Sequence, residues 1–258
     1  DLTHELIASN IQDFPIHLKF DTGMNRLGFE ISDVPKLVEY IQAQPELKIE
    51  SVYSHLADAD NQKDPHFSQF QISQFNLVCE ELKHYFPKFC RHLLNSEGII
   101  NYSSAQLDMV RVGIGMYGIS KSPEIAKKIL PVLKWKSVVS QIKTIEKGES
   151  VGYSRSFISD KSYTIAIIPL GYADGFKRSL SNGNGGVYIR GNYCPTIGRV
   201  CMDMIMVDVT GISAKVGEEV EIIGENQTLE KLAIKLETIP YEIMTSISNR
   251  VHRVYIEE

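Results

Sequence analysis

At 258 residues, 43% hydrophobic and 23% charged, the chain can bury a full core and is long enough for one large or two medium domains. A net charge of -5 with no basic run argues against a nucleic-acid partner. No stretch approaches about eighteen consecutive apolar residues and no signal peptide opens the chain, so a cytoplasmic protein without a membrane span is expected.

The first element is a strand. Ile16, Leu18 and Phe20 alternate with His17, Lys19 and Asp21, and Gly23 and Gly28 then permit a tight turn that carries Arg26. Asp33 can cap a helix to about Ala43, and Leu47 to Leu56 reads as a second strand ending at His55. A long amphipathic helix follows, with Phe67, Phe70, Phe75, Val78 and Leu82 near helical spacing and Pro87 as its stop. A third strand at Cys90 to Leu94 closes on Asn95 and Ser96, and a fourth at Met109 to Ile114 carries Arg111-Val-Gly-Ile-Gly. Four strand ends would thus bring Arg26, His55, Asn95-Ser96 and Arg111 to one face. Loops after parallel strands are where α/β folds make their ligand contacts. The competing reading of Lys19, Asp21 and Arg26 is a structural salt-bridge cluster.

Neither glycine stretch fits GxGxxG followed by a helix, which disfavours a dinucleotide fold. The alternation stops near residue 128, whereas a complete (β/α) barrel needs about 250 residues, so residues 1–128 form either part of a barrel or a smaller open sheet. Residues 129–258 read as a β domain. Strands are expected at Leu133 to Ile145, Tyr163 to Ile168, Val187 to Arg190, Cys194 to Ile197, Met204 to Val209, Val220 to Ile223 and Val251 to Ile256, with a short helix at about Leu229 to Leu236. Asn182-Gly-Asn-Gly-Gly reads as a hairpin turn and Val216-Gly-Glu as another. Cys79, Cys90, Cys194 and Cys201 show no CxxC and no metal-like pairing with histidine; they read as reduced thiols, with a disulfide left open by sequence alone. Tyr153, Tyr172 and Met202-Asp203 are polar or amphipathic features the β core does not require, although a tyrosine at a strand end commonly packs with a satisfied hydroxyl. A lone His55 has an equally ordinary reading as a hydrogen-bonded structural histidine.

Seven motifs taken together change the weight of these readings. Lys19-Phe-Asp-Thr-Gly-Met-Asn-Arg-Leu-Gly, Ser54-His-Leu-Ala-Asp-Ala-Asp, Leu94-Asn-Ser, Val110-Arg-Val-Gly-Ile-Gly-Met-Tyr-Gly, Val151-Gly-Tyr-Ser, Gly171-Tyr-Ala-Asp-Gly and Gly198-Arg-Val-Cys-Met-Asp together resemble the alanine racemases, in the family's order. The resemblance implies α/β plus all-β architecture: the C-terminal part of a (β/α)8 TIM barrel (1–128, binding pyridoxal 5'-phosphate) followed by a mostly β domain (129–258). It implies an isomerase that interconverts L- and D-alanine through a pyridoxal-phosphate aldimine to supply D-alanine for peptidoglycan, as a homodimer with shared active sites.

The residue roles follow from the same resemblance. Tyr153 resembles the tyrosine that exchanges the α-proton on one face of the substrate, reaching into the partner subunit's barrel. A phenol near its usual pKa of about 10 is a poor base, and His55 and Arg111 resemble the pair that favours its phenolate. Arg111 also resembles the arginine facing the cofactor's pyridine nitrogen, where a permanently protonated group weakens the electron sink. Arg26 resembles the arginine near the cofactor's phenolic oxygen and the substrate carboxylate, and Lys19 the lysine carboxylated in some members. Asn95 and Ser96, with the backbone of Gly113 and Ile114, resemble the phosphate cradle, and Tyr172 and Met202 the walls of the substrate pocket.

Two departures stand out. The family's Schiff-base lysine motif, similar to Val-Lys-Ala-Asn-Ala-Tyr-Gly-His-Gly, occurs nowhere in these residues, and its tyrosine partner for the phosphate is missing with it. The chain is therefore expected to be the C-terminal portion of the enzyme and inactive alone. At Ser246-Ile-Ser-Asn-Arg-Val this chain has Asn249 where many relatives have a phosphate-site tyrosine. The alternatives are a non-catalytic cofactor-binding or dimerisation module, or a racemase of another small amino acid such as serine. For the chain to act alone Lys161, Lys177 or Lys215 would have to reach the cofactor, and none lies at a barrel strand end.

Overall fold

The computed structural model describes Glu5 and residues 12–256. These fall into two compact units that divide between Pro131 and Val132.

The first unit is built on three parallel strands in the order β1-β2-β3: β1 (Phe14–Lys19), β2 (Leu47–Tyr53) and β3 (Cys90–His92). Helix α1 (Val34–Gln42) connects β1 to β2 and α2 (His66–Lys83) connects β2 to β3, as parallel pairing requires. Leu18 and Phe20 alternate with His17 and Lys19, so one face of the sheet is apolar. It packs in one buried cluster with Val34, Leu37, Val38 and Ile41 of α1 and Phe75, Val78, Cys79 and Leu82 of α2. Phe20 and Phe75 are fully buried, each contributing about 1.5–3 kcal/mol of transfer free energy. Phe67 and Phe70, expected on the inner face of α2, are exposed instead and stack on each other at 6.3 Å; the buried stripe runs through Ser68 and Gln71.

The opposite face is where β1, β2 and β3 align polar side chains. His17 pairs with Ser51, Lys19 with Tyr53 and Tyr53 with His92. β2 ends at Tyr53 and β3 at His92, so His55 and Asn95 lie in the loops beyond them. The expected fourth strand is absent. Met109 makes a single parallel bridge to His92, and the ladder stops there because Arg111 N bonds Leu94 O (3.0 Å) while Leu93 O, the acceptor the next rung would need, takes the Arg111 guanidinium (3.1 Å). Two short helices were not evident from the sequence: α3 (Ser96–Asn101), capped by the Asn95 side chain on Gly98 N at 2.9 Å, and α4 (Pro123–Ala126).

The second unit is antiparallel. Its four-stranded sheet runs β10-β9-β12-β4, with β4 (Trp135–Val138), β9 (Gly186–Ile189), β10 (Asn192–Pro195) and β12 (Glu219–Ile223). A three-stranded sheet runs β11-β8-β5, with β5 (Gln141–Ile145), β8 (Tyr163–Ile168) and β11 (Ile205–Asp208). A small hairpin pairs β6 (Ser150–Val151) with β7 (Phe157–Ile158). Helices α5 (Leu229–Lys235) and α6 (Pro240–Ser246) follow, the second not expected from the sequence. The tight hairpin turn is Arg190-Gly191, both at positive φ, between β9 and β10; Asn182-Gly183 instead leads from a 3-10 turn into β9. The expected last strand at 251–256 does not form. Val254, Tyr255 and Ile256 are all exposed, and β-branched alternation without a ladder partner makes no strand. All four cysteines are free thiols.

Candidate active site

The β1 loop is organised by Asp21. Its carboxylate accepts the backbone N–H groups of Gly23 (2.8 Å), Asn25 (3.1 Å) and Arg26 (3.0 Å). Burial pushes this carboxyl up, and the three backbone donors together with Lys19 outweigh it, so it sits below its ordinary value. The expected alternative of a salt-bridge cluster is not what forms: among the described residues no ion pair joins Lys19, Asp21 and Arg26, and the Lys19 ammonium donates to the Leu27 carbonyl. Gly28, at φ +133, lets the loop fold back; a Cβ there would lie 2.7 Å from Asp21 N. The loop closes with Asp21 N on Phe29 O at 2.9 Å.

Arg111 is the hub of the polar face. Its Nη1 donates to His92 Nδ1 and to His92 O (3.3 Å); its Nη2 donates to Ser54 O (2.8 Å), Leu93 O (3.1 Å) and His55 Nδ1 (3.3 Å). The guanidinium also lies 5.4 Å above the Tyr53 ring, which stacks on His92 at 4.9 Å. Because an arginine donates and never accepts, both histidines must present a bare Nδ1 to it. The electrostatics agree. Burial, then Arg111, Arg26 and Lys19, lower the pKa of His55; burial, then Arg111 and His17, push His92 down to about 4. Burial also lowers Arg111 and, with Arg26 and Arg111 against the opposing Asp21, Lys19. Gln71 of α2, fully buried, holds the His55 loop through His55 O (3.1 Å) and Ala57 N (2.9 Å).

Next to this hub, Ser96 at the start of α3 accepts Gly113 N (2.9 Å) and Gly115 N (3.2 Å) on its hydroxyl oxygen. Two N–H groups fill its lone pairs, which leaves its own proton for an incoming acceptor. Ile114 opens the following 3-10 turn. Arg26, His55 and Ser96 therefore follow β1, β2 and β3, whereas Arg111 and Gly113, expected at the end of a fourth strand, lie in an unpaired segment that Arg111 N joins to Leu94 O at 3.0 Å. His17, Ser51, Tyr53, Gln71 and His92 are site residues the sequence reading did not assign.

Tyr153, Tyr172 and Met202 belong to the second unit. Tyr153 is 70% exposed on a 3-10 turn after Gly152, where Ser154 and Arg155 adopt positive φ and Ser154 Oγ accepts from Arg199 at 3.2 Å. Tyr172 and Met202 sit on two backbones in contact: Tyr172 N donates to Cys201 O and Ala173 N to Met202 O, both at 3.0 Å. A Cβ on Gly171 would lie 2.1 Å from Met202 O. Arg250, beside Asn249, bonds both Asp174 (2.7 Å) and Asp203 (2.6 Å) and so ties the C-terminal segment to these two turns. Lys161 lies over the Tyr163 ring, Lys177 pairs with Glu242, and Lys215 N bonds Glu218; all three belong to this second unit. Among the described residues no three potential ligands gather for a metal, and no helix is long and apolar enough to cross a membrane.

Known proteins bear on these residues along the whole chain. Residues 3–121 match the family model "Alanine racemase, N-terminal domain" and residues 132–255 match "Alanine racemase, C-terminal domain". An alanine racemase of Clostridium tetani is 39% identical over 254 residues, covering 94% of this chain and 65% of the relative. That of Clostridium novyi is 40% identical over 257 residues, with 94% and 65% coverage. The crystal structure of alanine racemase from Bartonella henselae with covalently bound pyridoxal phosphate superposes with a TM-score of 0.85 at 34% identity, over 99% of this chain and 70% of that one. Alanine racemase from Bacillus anthracis with bound L-Ala-P gives 0.90 at 31%, over 99% and 68%. The chain spans 65% of the length of the Clostridium relatives, and it belongs to the alanine racemase family.

Proposed function

We propose that this chain is the larger part of a pyridoxal-phosphate-dependent alanine racemase that interconverts L- and D-alanine for peptidoglycan synthesis, with the Schiff-base lysine supplied by a segment outside these residues. The observation that carries this reading is Arg111. A guanidinium on the polar face of the sheet is anchored through Nη1 and Nη2, which leaves Nε–H as the donor for the nitrogen of a ring set against it. The donor set fits the cofactor. With Gly113 N and Gly115 N turned to Ser96 Oγ, the Ser96 hydroxyl, the Ile114 backbone N–H and Asn95 would hold the phosphate, Arg111 the pyridine nitrogen, and Arg26 the phenolic oxygen and the substrate carboxylate. When bound, pyridoxal phosphate supplies the electron sink that acidifies the substrate's α-carbon.

This chain's own residues do the rest. His55 accepts from Arg111 on Nδ1 and is neutral, so its proton sits on Nε2 and can be donated to a phenol oxygen, favouring the phenolate of Tyr153 as the base for one face of the substrate. On this reading Tyr153, Tyr172 and Met202 would reach the site of a second copy in a cytoplasmic homodimer, with residues 1–128 binding cofactor and 129–258 completing the pocket. The lowered pKa of Lys19 raises the share of free amine, the form that adds to carbon dioxide; the resulting carbamate would balance Arg26 and Arg111. With Asn249 in place of tyrosine, phosphate is held by fewer hydroxyls.

The test is to mix this chain with pyridoxal phosphate, with and without the N-terminal segment of the Clostridium tetani relative, and follow conversion of L-alanine to D-alanine. No conversion by the chain alone, conversion on complementation, and a loss of roughly 100-fold or more in Y153F are expected. Racemisation by the chain alone, or a Y153F variant as fast as the parent, would overturn the reading.

A further inference from the structure

The contacts behind Arg111 continue past His92. Two of the residues involved, Ser51 and His17, lie one and two bonds behind His92 and have so far been given no role. His92 Nε2 lies 3.0 Å from Ser51 Oγ, and Ser51 Oγ lies 2.6 Å from His17 Nδ1. Ser51 is 2% exposed and His92 5%. The three residues come from three adjacent strands whose register sets them side by side: His17 pairs with Ser51, and Tyr53, two residues on along the same face, pairs with His92.

The direction of every bond in this row is fixed. Arg111 can only donate, so His92 Nδ1 is an acceptor and the imidazole carries its proton on Nε2. That proton is buried, and the Ser51 oxygen is its acceptor. The Ser51 hydroxyl proton then has one acceptor among the bonds described, His17 Nδ1. A second proton on His92 would point at the guanidinium, in keeping with a pKa pushed down to about 4 by burial, Arg111 and His17. Each N–H or O–H in such a chain polarises the next, so the Ser51 and His17 contacts make Nδ1 of His92 a better acceptor.

We infer that Ser51 and His17 are positioning residues for Arg111: they hold His92 in the one orientation and tautomer that clamps the guanidinium. Without an acceptor at position 51, the buried His92 Nε2–H has no partner. The ring then gains by rotating away from Arg111, which leaves the guanidinium held on that side by the His92 carbonyl alone, at 3.3 Å. The cost is about one charge-assisted hydrogen bond, a change of roughly tenfold in the population of the clamped state. Only the catalytic consequence rests on the racemase reading; the orientation of Arg111 does not.

The experiment is nitrogen-15 NMR of the full chain without added cofactor, reading the His92 ring nitrogens and the Arg111 Nη protons, for the parent and for S51A, S51T, H17A and H17N. Expected in the parent are one neutral His92 form protonated on Nε2 with slow solvent exchange, and Arg111 Nη protons resolved by slow rotation. S51A and H17A should speed Nε2–H exchange roughly tenfold and average the Arg111 signals. S51T keeps the hydroxyl and H17N keeps an acceptor oxygen, so both should retain the parent pattern. In the complemented enzyme S51A should lower kcat roughly tenfold with KM changed less than about twofold, and S51T should restore it. A cationic His92 at pH 7, or signals unchanged in S51A and H17A, would overturn the inference; an unchanged kcat beside altered signals would overturn its catalytic consequence. A parent that never racemises alanine would sink the functional reading alone, since the NMR pattern is read without it.

Discussion

The loop that carries Arg26 hangs on one carboxylate, and replacing it separates two oxygens that do different work. Asp21 Oδ1 accepts Gly23 N and Asn25 N, whereas Oδ2 accepts Arg26 N. A hydrogen bond to a charged group contributes about 1.5–3 kcal/mol when buried; in a loop open to solvent about 1 kcal/mol each is the appropriate figure. D21A then loses about 3 kcal/mol of loop closure. D21N keeps its oxygen where it serves two donors and turns its NH2 toward Arg26 N, losing about 1 kcal/mol. Hydrogen exchange of the chain at neutral pH reads this residue by residue: D21A should expose all three amides roughly 100-fold, D21N that of Arg26 alone by roughly fivefold. The pH dependence has a definite sign. The folded carboxyl lies below its ordinary value of 3.8, so its contribution is complete above that value and disappears as pH falls through the lower folded value. The three amide resonances should therefore titrate together with a midpoint below 3.8. An Arg26 amide that stays protected in D21N, or a midpoint above 3.8, would refute the assignment of Asp21 as the loop's anchor.

Three other outcomes can be checked directly. G171A forces a Cβ to within 2.1 Å of Met202 O and separates the two backbones that carry Tyr172 and Met202, so the second unit should lose about 2–4 kcal/mol in urea unfolding; an unchanged midpoint would mean the two turns are not in contact. R250K cannot bond Asp174 and Asp203 together, and in the complemented enzyme it should raise KM for alanine several-fold with kcat nearly unchanged; an equal loss in both would place Arg250 elsewhere in the reaction. Burial pushes the Cys79 thiol up to about 12 and the Cys194 thiol up to about 11, so neither should react with a thiol reagent at pH 8 until the chain is unfolded, whereas Cys90 and Cys201, less buried, should react first.

The alternation of apolar residues made β1, β2 and β8 legible, and the apolar spacing around Phe75, Val78 and Leu82 made α2 legible, because each pattern matches the period of its element and the buried face is continuous. The same rule failed where an alternating run had no partner. Met109 to Ile114 and Val251 to Ile256 read as strands, yet Arg111 N turns to Leu94 O after one bridge in the first and no ladder forms along the second among the described residues. Alternation reports a preference, and pairing decides it. Helices α3 and α6 escaped notice for the converse reason: α5, equally short, buries Leu229, Leu232 and Ala233 on one face, whereas α3 buries Ser96 and Gly98 and α6 Ile243 alone, so no apolar period shows and the two are set by the Asn95 cap and by Pro240 at the first turn.

The site divides along similar lines. Arg26, His55 and Ser96 were legible as candidates because they follow strands, where the chain turns and glycines or polar pairs mark the place, and Arg111 because it opens a glycine-rich bend. His17, Ser51, Tyr53 and His92 sit inside strands, and what joins them is register across separations of 34 and 41 residues, with a shift between Ile16 and His17 that no local pattern announces. A signal was nevertheless present. A strand of a parallel sheet buried on both faces reads as a nearly unbroken apolar run, and these three strands do not: each carries a histidine, serine or tyrosine on the face turned from the helices. Burying Ser51 and His92 is costly unless each finds a partner, so with His17 exposed beside them they imply one connected row, and the permanent donor at its end, Arg111, sets the direction of all of its bonds.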